Sequence, residues 1–213
     1  MGAFLVLPLI ASCGGTATAP APAPAASPKP SILLVTLDTT RADAIGPGAR
    51  GVETPAFNAV AARGRRFVQA YSTVPETLPA HASMLTGLYP AGHGLHENAR
   101  TLATGHVVAA ERLKAAGYAT SAFVSSFVLA RRFGLGRGFD TYDDALAAGA
   151  VERDARETTG RAIRAWQAPS AQPVFTWVHY FDPHAPYLAP EPFRTRYASS
   201  LSSSSRVSSG SFQ

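Results

Sequence analysis

Cysteine is almost missing from this chain: Cys13 is the only one in 213 residues, so no intramolecular disulfide can staple the fold. Lysine is nearly as scarce. Only Lys29 and Lys114 occur, and the formal charge of +5 comes almost wholly from arginine. The arginines are spread along the chain, with only the pairs Arg65-Arg66 and Arg131-Arg132 adjacent. No basic stripe marks a nucleic-acid partner, and the excess reads as a solubility feature. No apolar run reaches the roughly 18 residues of a bilayer-spanning helix. Charged residues make up only 15%, but 46% are hydrophobic, which excludes a disordered chain and allows one domain with a core of ordinary size.

What is present begins with a short apolar start, Ala3–Ile10, followed by Ala11, Ser12 and Cys13. Ile10-Ala11-Ser12-Cys13 resembles a bacterial lipobox, in which the cysteine is lipidated and becomes the first residue of the mature protein. That resemblance implies a lipoprotein-type signal peptide over 1–13 and a protein lipid-anchored to a bacterial membrane, in the periplasm or at the cell surface. No Lys or Arg precedes the apolar run, although a signal peptide normally has a basic start; a start codon assigned too late accounts for this. An ordinary cleaved leader is the alternative. Residues 14–30 have the Ala/Pro composition of a semi-extended tether. At the other end, nine of the fifteen residues from Ser199 to Gln213 are serine, which marks 198–213 as a disordered polar tail or as the product of a truncated or frame-shifted gene. The abrupt onset favours truncation.

Between these ends, 31–197 reads as one α/β domain. Ser31 to Leu37 is a continuous apolar run with β-branched members, the pattern of a strand buried on both faces. Thr54-Pro55 reads as the N-cap and first residue of a helix that ends at Arg63 before Gly64. Further helices are expected over about Ala80 to Leu85, closed by Gly87, over His106 to Ala116, and over Val151 to Trp166. Short or buried strands are expected over Arg66 to Tyr71, Tyr118 to Val124 and Val174 to His179. Strands alternating with helices predict a mostly parallel sheet covered on both faces, with ligands beyond the C-terminal strand ends. Asp38 follows one such end, and His179 to His184 follow another.

A carboxylate at a strand end and a hydroxyl at the start of a small-residue helix suit hydrolysis of a charged ester. The carboxylate can hold a divalent metal, and the helix N-terminus favours an anion. Alone, Asp38 is as readily a turn residue and Thr77 a helix cap. The combination carries more. Thr77-Leu78-Pro79-Ala80-His81 through Thr86-Gly87 resembles the sulfatase signature Cys/Ser-x-Pro-x-Arg-x-x-x-x-Thr-Gly. It lies in order with Leu37-Asp38-Thr39-Thr40-Arg41, Thr54-Pro55-Ala56-Phe57-Asn58, Tyr89-Pro90-Ala91-Gly92-His93-Gly94 and Phe181-Asp182-Pro183-His184-Ala185-Pro186-Tyr187.

From Ser31 to about Phe193 the chain thus resembles the N-terminal half of the sulfatase family, within the alkaline phosphatase superfamily. The resemblance implies an alkaline-phosphatase-like sheet, truncated at its C-terminal side, and one divalent metal ion (Ca, Mg, Mn or Zn). It places Asp38 and Thr77 as metal ligands and Thr77 as the catalytic nucleophile. His81 falls at the signature arginine, His184 at a histidine that contacts the transferred group or the leaving oxygen, and Asn98 at a weaker substrate-binding match. His93, His96 and His106 read as loop or surface residues without a role. Expected partners are a sulfated or phosphorylated small molecule or glycan and, through the lipid, a membrane.

Three departures qualify the expected chemistry. Thr77 cannot become formylglycine and would act as a plain alkoxide, forming an ester that water or an acceptor must cleave. His81 offers fewer donors than the planar fork of an arginine. After Gly117-Tyr118-Ala119-Thr120 the chain lacks the Gly-Lys-Trp-His found in many sulfatases. The family's later Asp-His-Gly or Asp-Asn-Gly segment does not occur either, and one carboxylate with one hydroxyl cannot fill the shell of a hard cation. The leading expectation is a sulfuric or phosphoric ester hydrolase when full length, inactive at this length. The alternatives are an inactive remnant or binding module, and a transferase that passes a phospho-group to a surface glycan.

Cys13→Ser is expected to release the protein from the membrane fraction of its host. Unchanged partitioning between membrane and soluble fractions refutes the lipobox.

Overall fold

The computed structural model describes residues 29–197, so the readings of 1–28 (the signal peptide, Cys13 and most of the tether) and of the tail from 198 onward lie outside the described residues. Four strands, β1 (Ile32–Leu37), β2 (Ala119–Val124), β3 (Thr141–Asp143) and β4 (Val174–Tyr180), form one all-parallel sheet in the order β1-β4-β2-β3. Five helices accompany it: α1 (Pro55–Arg63), α2 (Thr77–Thr86), α3 (Pro90–His93), α4 (Ala109–Ala115) and α5 (Ala155–Trp166). No described helix is long and apolar enough to cross a membrane.

The α/β class and the parallel sheet are as expected, and so are the bounds of α1. Residues alternate across β4: Phe175 and Trp177 enter the main core with Leu78, Ala82, Leu85, Leu102, Val108 and Leu135, whereas Val178 joins Phe123 and Ala162 of α5 in a smaller cluster. At the Trp177 side-chain size, full burial contributes about 2–3 kcal/mol.

β1 corrects the expectation of a strand covered on both faces. It is the edge strand, and Leu33, Val35 and Leu37 are half-exposed. The physical reason is that α5 packs over β4 and β2 and does not extend over β1. Arg66 to Tyr71 forms no strand. No described strand pairs with it, and Phe67, Val68 and Tyr71 are all largely exposed despite their strand propensity. The helix expected from His106 begins three residues later, because the Glu111 carboxylate accepts from the Val108 backbone N–H at 2.9 Å and fixes the start there. α5 likewise begins at Ala155, where Asp154 caps the Glu157 N–H. β3 and the short α3 carry too few residues to show a period.

Gly138 marks the tightest approach in the fold. It lies in the left-handed region at φ +77°, and a Cβ there would overlap the backbone nitrogen of Glu111, so only glycine lets the chain cross the start of α4 before β3.

The C-terminal rim of the sheet is pinned by Arg153, whose guanidinium is 2% exposed. It donates to Asp143 at 2.8 Å, to the Val124 carbonyl closing β2, and to the Thr158 hydroxyl. Thr158 contacts Ser125, and Ser125 donates to the carbonyl of His179 at 2.7 Å. One buried cation thereby ties α5, β2 and β4 together at the end where the site lies. Burial works to raise the Asp143 carboxyl, but the hydrogen bonds of Arg153 and Arg161 outweigh it and hold the group below its ordinary value. Asp143→Ala strips the buried guanidinium of its counter-charge and is expected to cost about 3–5 kcal/mol in urea unfolding. A loss below about 1 kcal/mol would show that the carbonyl and hydroxyl partners suffice.

Candidate active site

Asp38 is the first residue after β1. Its N–H bonds the Tyr180 carbonyl at 2.9 Å, which continues the ladder one step beyond the strand. Thr39 then turns the chain at φ +46°, a conformation that costs a β-branched residue about 1–3 kcal/mol and clusters at functional sites. The turn leaves the Asp38 side chain buried at the strand end, 6% exposed.

Thr77 opens α2, one turn longer than expected, with Glu76 as N-cap and Gly87 closing the helix in the left-handed region. Its hydroxyl donates to Asp38 Oδ2 at 3.0 Å. The sequence therefore identified a pair that the fold brings into contact from 39 residues apart. His179, placed at a strand end in the sequence but given no site role there, completes it. Its Nε2 lies 3.3 Å from the same Asp38 oxygen, and the residue is wholly buried. Burial works to raise the Asp38 carboxyl, but the hydrogen bond and charge of His179, the Thr77 hydroxyl and the charge of His81 together hold it below the ordinary carboxylate value.

His81 is brought to the cleft but is fully engaged. The Trp177 indole N–H donates to Thr36 Oγ1 at 3.1 Å, Thr36 contacts His81 Nε2 at 3.1 Å, and His81 Nδ1 meets the Thr77 carbonyl at 2.7 Å. An indole nitrogen only donates and a carbonyl only accepts, so the direction of this chain is fixed. Nδ1 carries the proton, and Nε2 accepts from the Thr36 hydroxyl. Burial, aided by the neighbouring His179, pushes His81 down to about 4, so the ring is uncharged near neutrality. The sequence places His81 at the signature arginine, a catalytic position that could hold the nucleophile or the anion; a neutral imidazole with both nitrogens committed leaves none for an anion and meets Thr77 only at its carbonyl.

Asn98 also lies beside Thr77. Its carbonyl accepts from the Leu78 N–H at 2.9 Å, and its amide donates to the Glu76 carboxylate at 2.8 Å, so it braces the residues on either side of Thr77. With Leu78 satisfied and Pro79 lacking an N–H, the first turn of α2 keeps little of the anion-binding capacity expected of it.

His184 is not brought to this cluster. Its ring stacks on Phe181 with centroids 4.3 Å apart, its Nδ1 donates to the Ala185 carbonyl at 2.8 Å, and it lines a separate depression of about 100 Å³ with Glu152, Asp154 and Asp182. The Asp-Pro turn sets this geometry, with the His184 N–H bonded to the Phe181 carbonyl at 2.8 Å. Asp43 makes the local pair with Arg41 at 2.7 Å.

His93 is not a surface residue. It is buried, its Nδ1 accepts from the Leu95 N–H at 3.1 Å, and its Nε2 meets Ser83 Oγ at 2.9 Å. Because Nδ1 is the acceptor, Nε2 holds the proton and donates to Ser83. That is the wrong tautomer for a base, so Ser83–His93 is no nucleophile–base dyad.

The Asp38–Thr77 pair opens on a cleft of about 880 Å³ between the free edge of β1, the segment from Ala70 to Glu76, α2 and Tyr89. The Sulfatase family model matches residues 30–207. The chain belongs to the sulfatase family. It is 27% identical over 215 aligned positions to an arylsulfatase of Klebsiella aerogenes, covering 79% of this chain and 46% of that one. It is 37% identical over 94 residues to the ulvan-active sulfatase of Formosa agariphila, covering 44% of this chain and 18% of the relative. In structure it superposes on the phosphonate monoester hydrolase of Agrobacterium radiobacter with a TM-score of 0.65 at 21% identity, over 79% of this chain and 44% of that one. The chain spans less than half the length of the curated relatives it matches.

Members of this superfamily typically depend on a divalent metal. In this sulfatase-family chain, Asp38 Oδ1 takes no hydrogen bond from a described residue, and with Thr77 Oγ1 it offers two hard oxygen donors. No group of three His, Cys, Asp or Glu residues suited to a metal occurs among the described residues. The donors have the right chemistry but fall short of the six oxygens a hard cation takes, so they do not by themselves fit the ion.

His81 sets a pH dependence. Its folded value lies below its unfolded one, so the unfolded chain binds the extra proton and stability falls on acidification from about 6.5 to about 4. The loss across that window is ~3 kcal/mol. His81→Asn keeps a donor for the Thr77 carbonyl but cannot gain a proton. Its urea-unfolding free energy is expected to vary less with pH by that amount, and an unchanged slope would remove His81 as the source.

Proposed function

We propose that this chain supplies the nucleophile and the first metal ligand of a metal-dependent hydrolase acting on sulfate, phosphate or phosphonate esters. The observation that carries the reading is the 3.0 Å hydrogen bond from Thr77 Oγ1 to Asp38 Oδ2 at the C-terminal rim of a parallel sheet, where α/β folds gather ligands. Thr77 Oγ attacks sulfur or phosphorus, the new O–S or O–P bond replaces the bond to the alcohol, and the alcohol leaves with a proton. Water then cleaves the threonine ester and restores the hydroxyl. Asp38 orients the hydroxyl by accepting its proton in a hydrogen bond, which turns the oxygen lone pairs toward the cleft.

Asp38 Oδ1 and Thr77 Oγ1 are the atoms that would hold the cation, which when bound supplies Lewis-acid polarisation and lowers the cost of the alkoxide. These two oxygens fill only part of the shell of a hard cation. The fold also matches the murine ectonucleotide pyrophosphatase/phosphodiesterase 5, solved as an inactive threonine-to-alanine form with AMP, at a TM-score of 0.53 and 15% identity. Sulfated sugars are the favoured substrate class, since relatives include an N-acetylgalactosamine-6-O-sulfatase of Bacteroides thetaiotaomicron. A lipid-anchored location outside the cytoplasm rests on Cys13 alone.

A second reading, a non-turning binding module, is favoured by one observation. The charged side chains lining the cleft are Asp38 and Glu76, with no Lys or Arg among the described lining residues.

The test assays aryl sulfate, aryl phosphate diester and aryl phosphonate with calcium, magnesium, manganese or zinc, comparing a full-length form that carries the family's later Asp-His or Asp-Asn segment with its Thr77→Ala variant. Removing the nucleophile is expected to cut cation-dependent release roughly a hundredfold or more. Equal release by both proteins overturns Thr77 as nucleophile. No release from either favours the binding module.

A further inference from the structure

His179 stands at the C-terminal end of β4, directly opposite Thr36 of β1 in the parallel register. It is wholly buried, and its two nitrogens have unequal fates. Nε2 lies 3.3 Å from Asp38 Oδ2, whereas Nδ1 is buried with no hydrogen-bond partner among the described residues. A carboxylate only accepts, so Nε2 carries a proton directed at Asp38, while nothing described meets Nδ1. Leaving a buried polar atom unsatisfied is rare and calls for an explanation. The ring packs edge-on against His81 at 5.0 Å and lies 6.3 Å from Phe181. A phenyl ring would keep those contacts and strand no nitrogen. What it would lack is the donor to Asp38.

We propose that His179 is a positioning residue that decides which oxygen of Asp38 is offered to the cleft. Its Nε2–H and the Thr77 hydroxyl converge on Oδ2, and two donors on one oxygen fix the carboxylate against rotation about its Cβ–Cγ bond. Oδ1 is thereby the oxygen presented to a ligand, and the Thr77 hydroxyl has a stationary acceptor. The ring is itself fixed from behind, because Ser125 donates to the His179 carbonyl at 2.7 Å and the Arg153 network holds Thr158 beside Ser125. Without the imidazole donor, Asp38 keeps only the Thr77 hydroxyl, a group that rotates with it. The proposal rests on Asp38 and Thr77 being the reacting pair and adds the residue that orients them.

The test uses the full 213-residue chain labelled with 13C and 15N at a single near-neutral pH. Long-range 1H–15N spectra report the His179 tautomer, and the Asp38 carboxylate carbon and Thr77 Cβ report the geometry of the pair. His179→Gln places an amide N–H near the position of Nε2, and His179→Phe keeps the ring without the donor. The expected result is an Nε2–H tautomer in the wild type, with Asp38 and Thr77 signals close to wild type in His179→Gln and shifted in His179→Phe. The comparison is made with backbone signals distant from the rim unchanged; if His179→Phe does not fold, His179→Asn, whose amide is too short to reach Asp38, replaces it. A His179 carrying its proton on Nδ1, or Asp38 and Thr77 signals that stay put when the donor is lost, overturns the proposal. Ester release independent of Thr77 would instead overturn the nucleophile and leave these spectra unaltered, so the two failures are distinguishable.

Discussion

A single oxygen atom, Asp38 Oδ2, is the point on which the site depends. The end of β1 delivers it, the start of α2 brings the Thr77 hydroxyl to it, and the end of β4 brings the His179 imidazole. Each approach is enforced by something unrelated to chemistry. The parallel register places His179 beside Thr36, the left-handed backbone at Thr39 ends the strand at once, and the buried faces of α2 hold it on the sheet through Leu78, Ala82 and Leu85. The carboxylate stays ionised despite its burial because its partners outweigh desolvation. Shifting β1 or β4 by one residue breaks the convergence, since neighbouring strand residues face opposite sides of the sheet.

Thr77 is constrained from its backbone as well. The polar chain from Trp177 through Thr36 and His81 ends on the Thr77 carbonyl, and its direction follows from the indole at one end and the carbonyl at the other. Every group in it is satisfied, which is the condition under which a buried polar network rigidifies its surroundings. His81 therefore fills the position of the signature arginine without replacing its charge. It acts as a strut between sheet and helix. Asn98 braces the opposite side by linking Glu76 to the Leu78 N–H. The helix start is organised to hold Thr77 in place, and little of it remains for an anion.

Much of this was legible in the sequence. Apolar patterns and stop signals located β1, β2, β4, α2, α4 and α5 to within a few residues, and α1, which buries no residue, was located by its Thr54-Pro55 start and Gly64 stop. The pairing of Asp38 with Thr77 followed from motif order alone. What failed has identifiable causes. A continuous apolar run predicts burial on both faces, but burial of β1 depends on which neighbours reach it, and α5 stops at β4. Arg66 to Tyr71 has strand propensity without a partner strand. His184 follows the strand that carries His179, five residues on, and the Asp-Pro turn sends it to another pocket, whereas His179 lies within the strand and faces Asp38. A signal for His179 existed: it is the residue two beyond Trp177 on β4, so a period of two places both on the face that packs against α2. Tautomers and hydrogen-bond direction have no trace in a linear pattern, so the role of His81 could not be read from it.

Charge sets the last constraint on the cleft. Its described lining holds the carboxylates of Asp38 and Glu76, a neutral His81 and no Lys or Arg. An anionic ester placed ~5 Å from one such carboxylate is repelled by about 3 kcal/mol at an effective dielectric near ~20. The amide dipoles at the start of α2 cannot offset this, since they contribute at most about 1–2 kcal/mol and the Leu78 N–H is already taken. The described lining therefore offers an anionic ester two carboxylates and no cationic side chain. For the ester chemistry proposed for Thr77, that repulsion is the largest electrostatic cost the described residues leave uncompensated, because the hydroxyl that would attack is hydrogen-bonded to one of the two carboxylates.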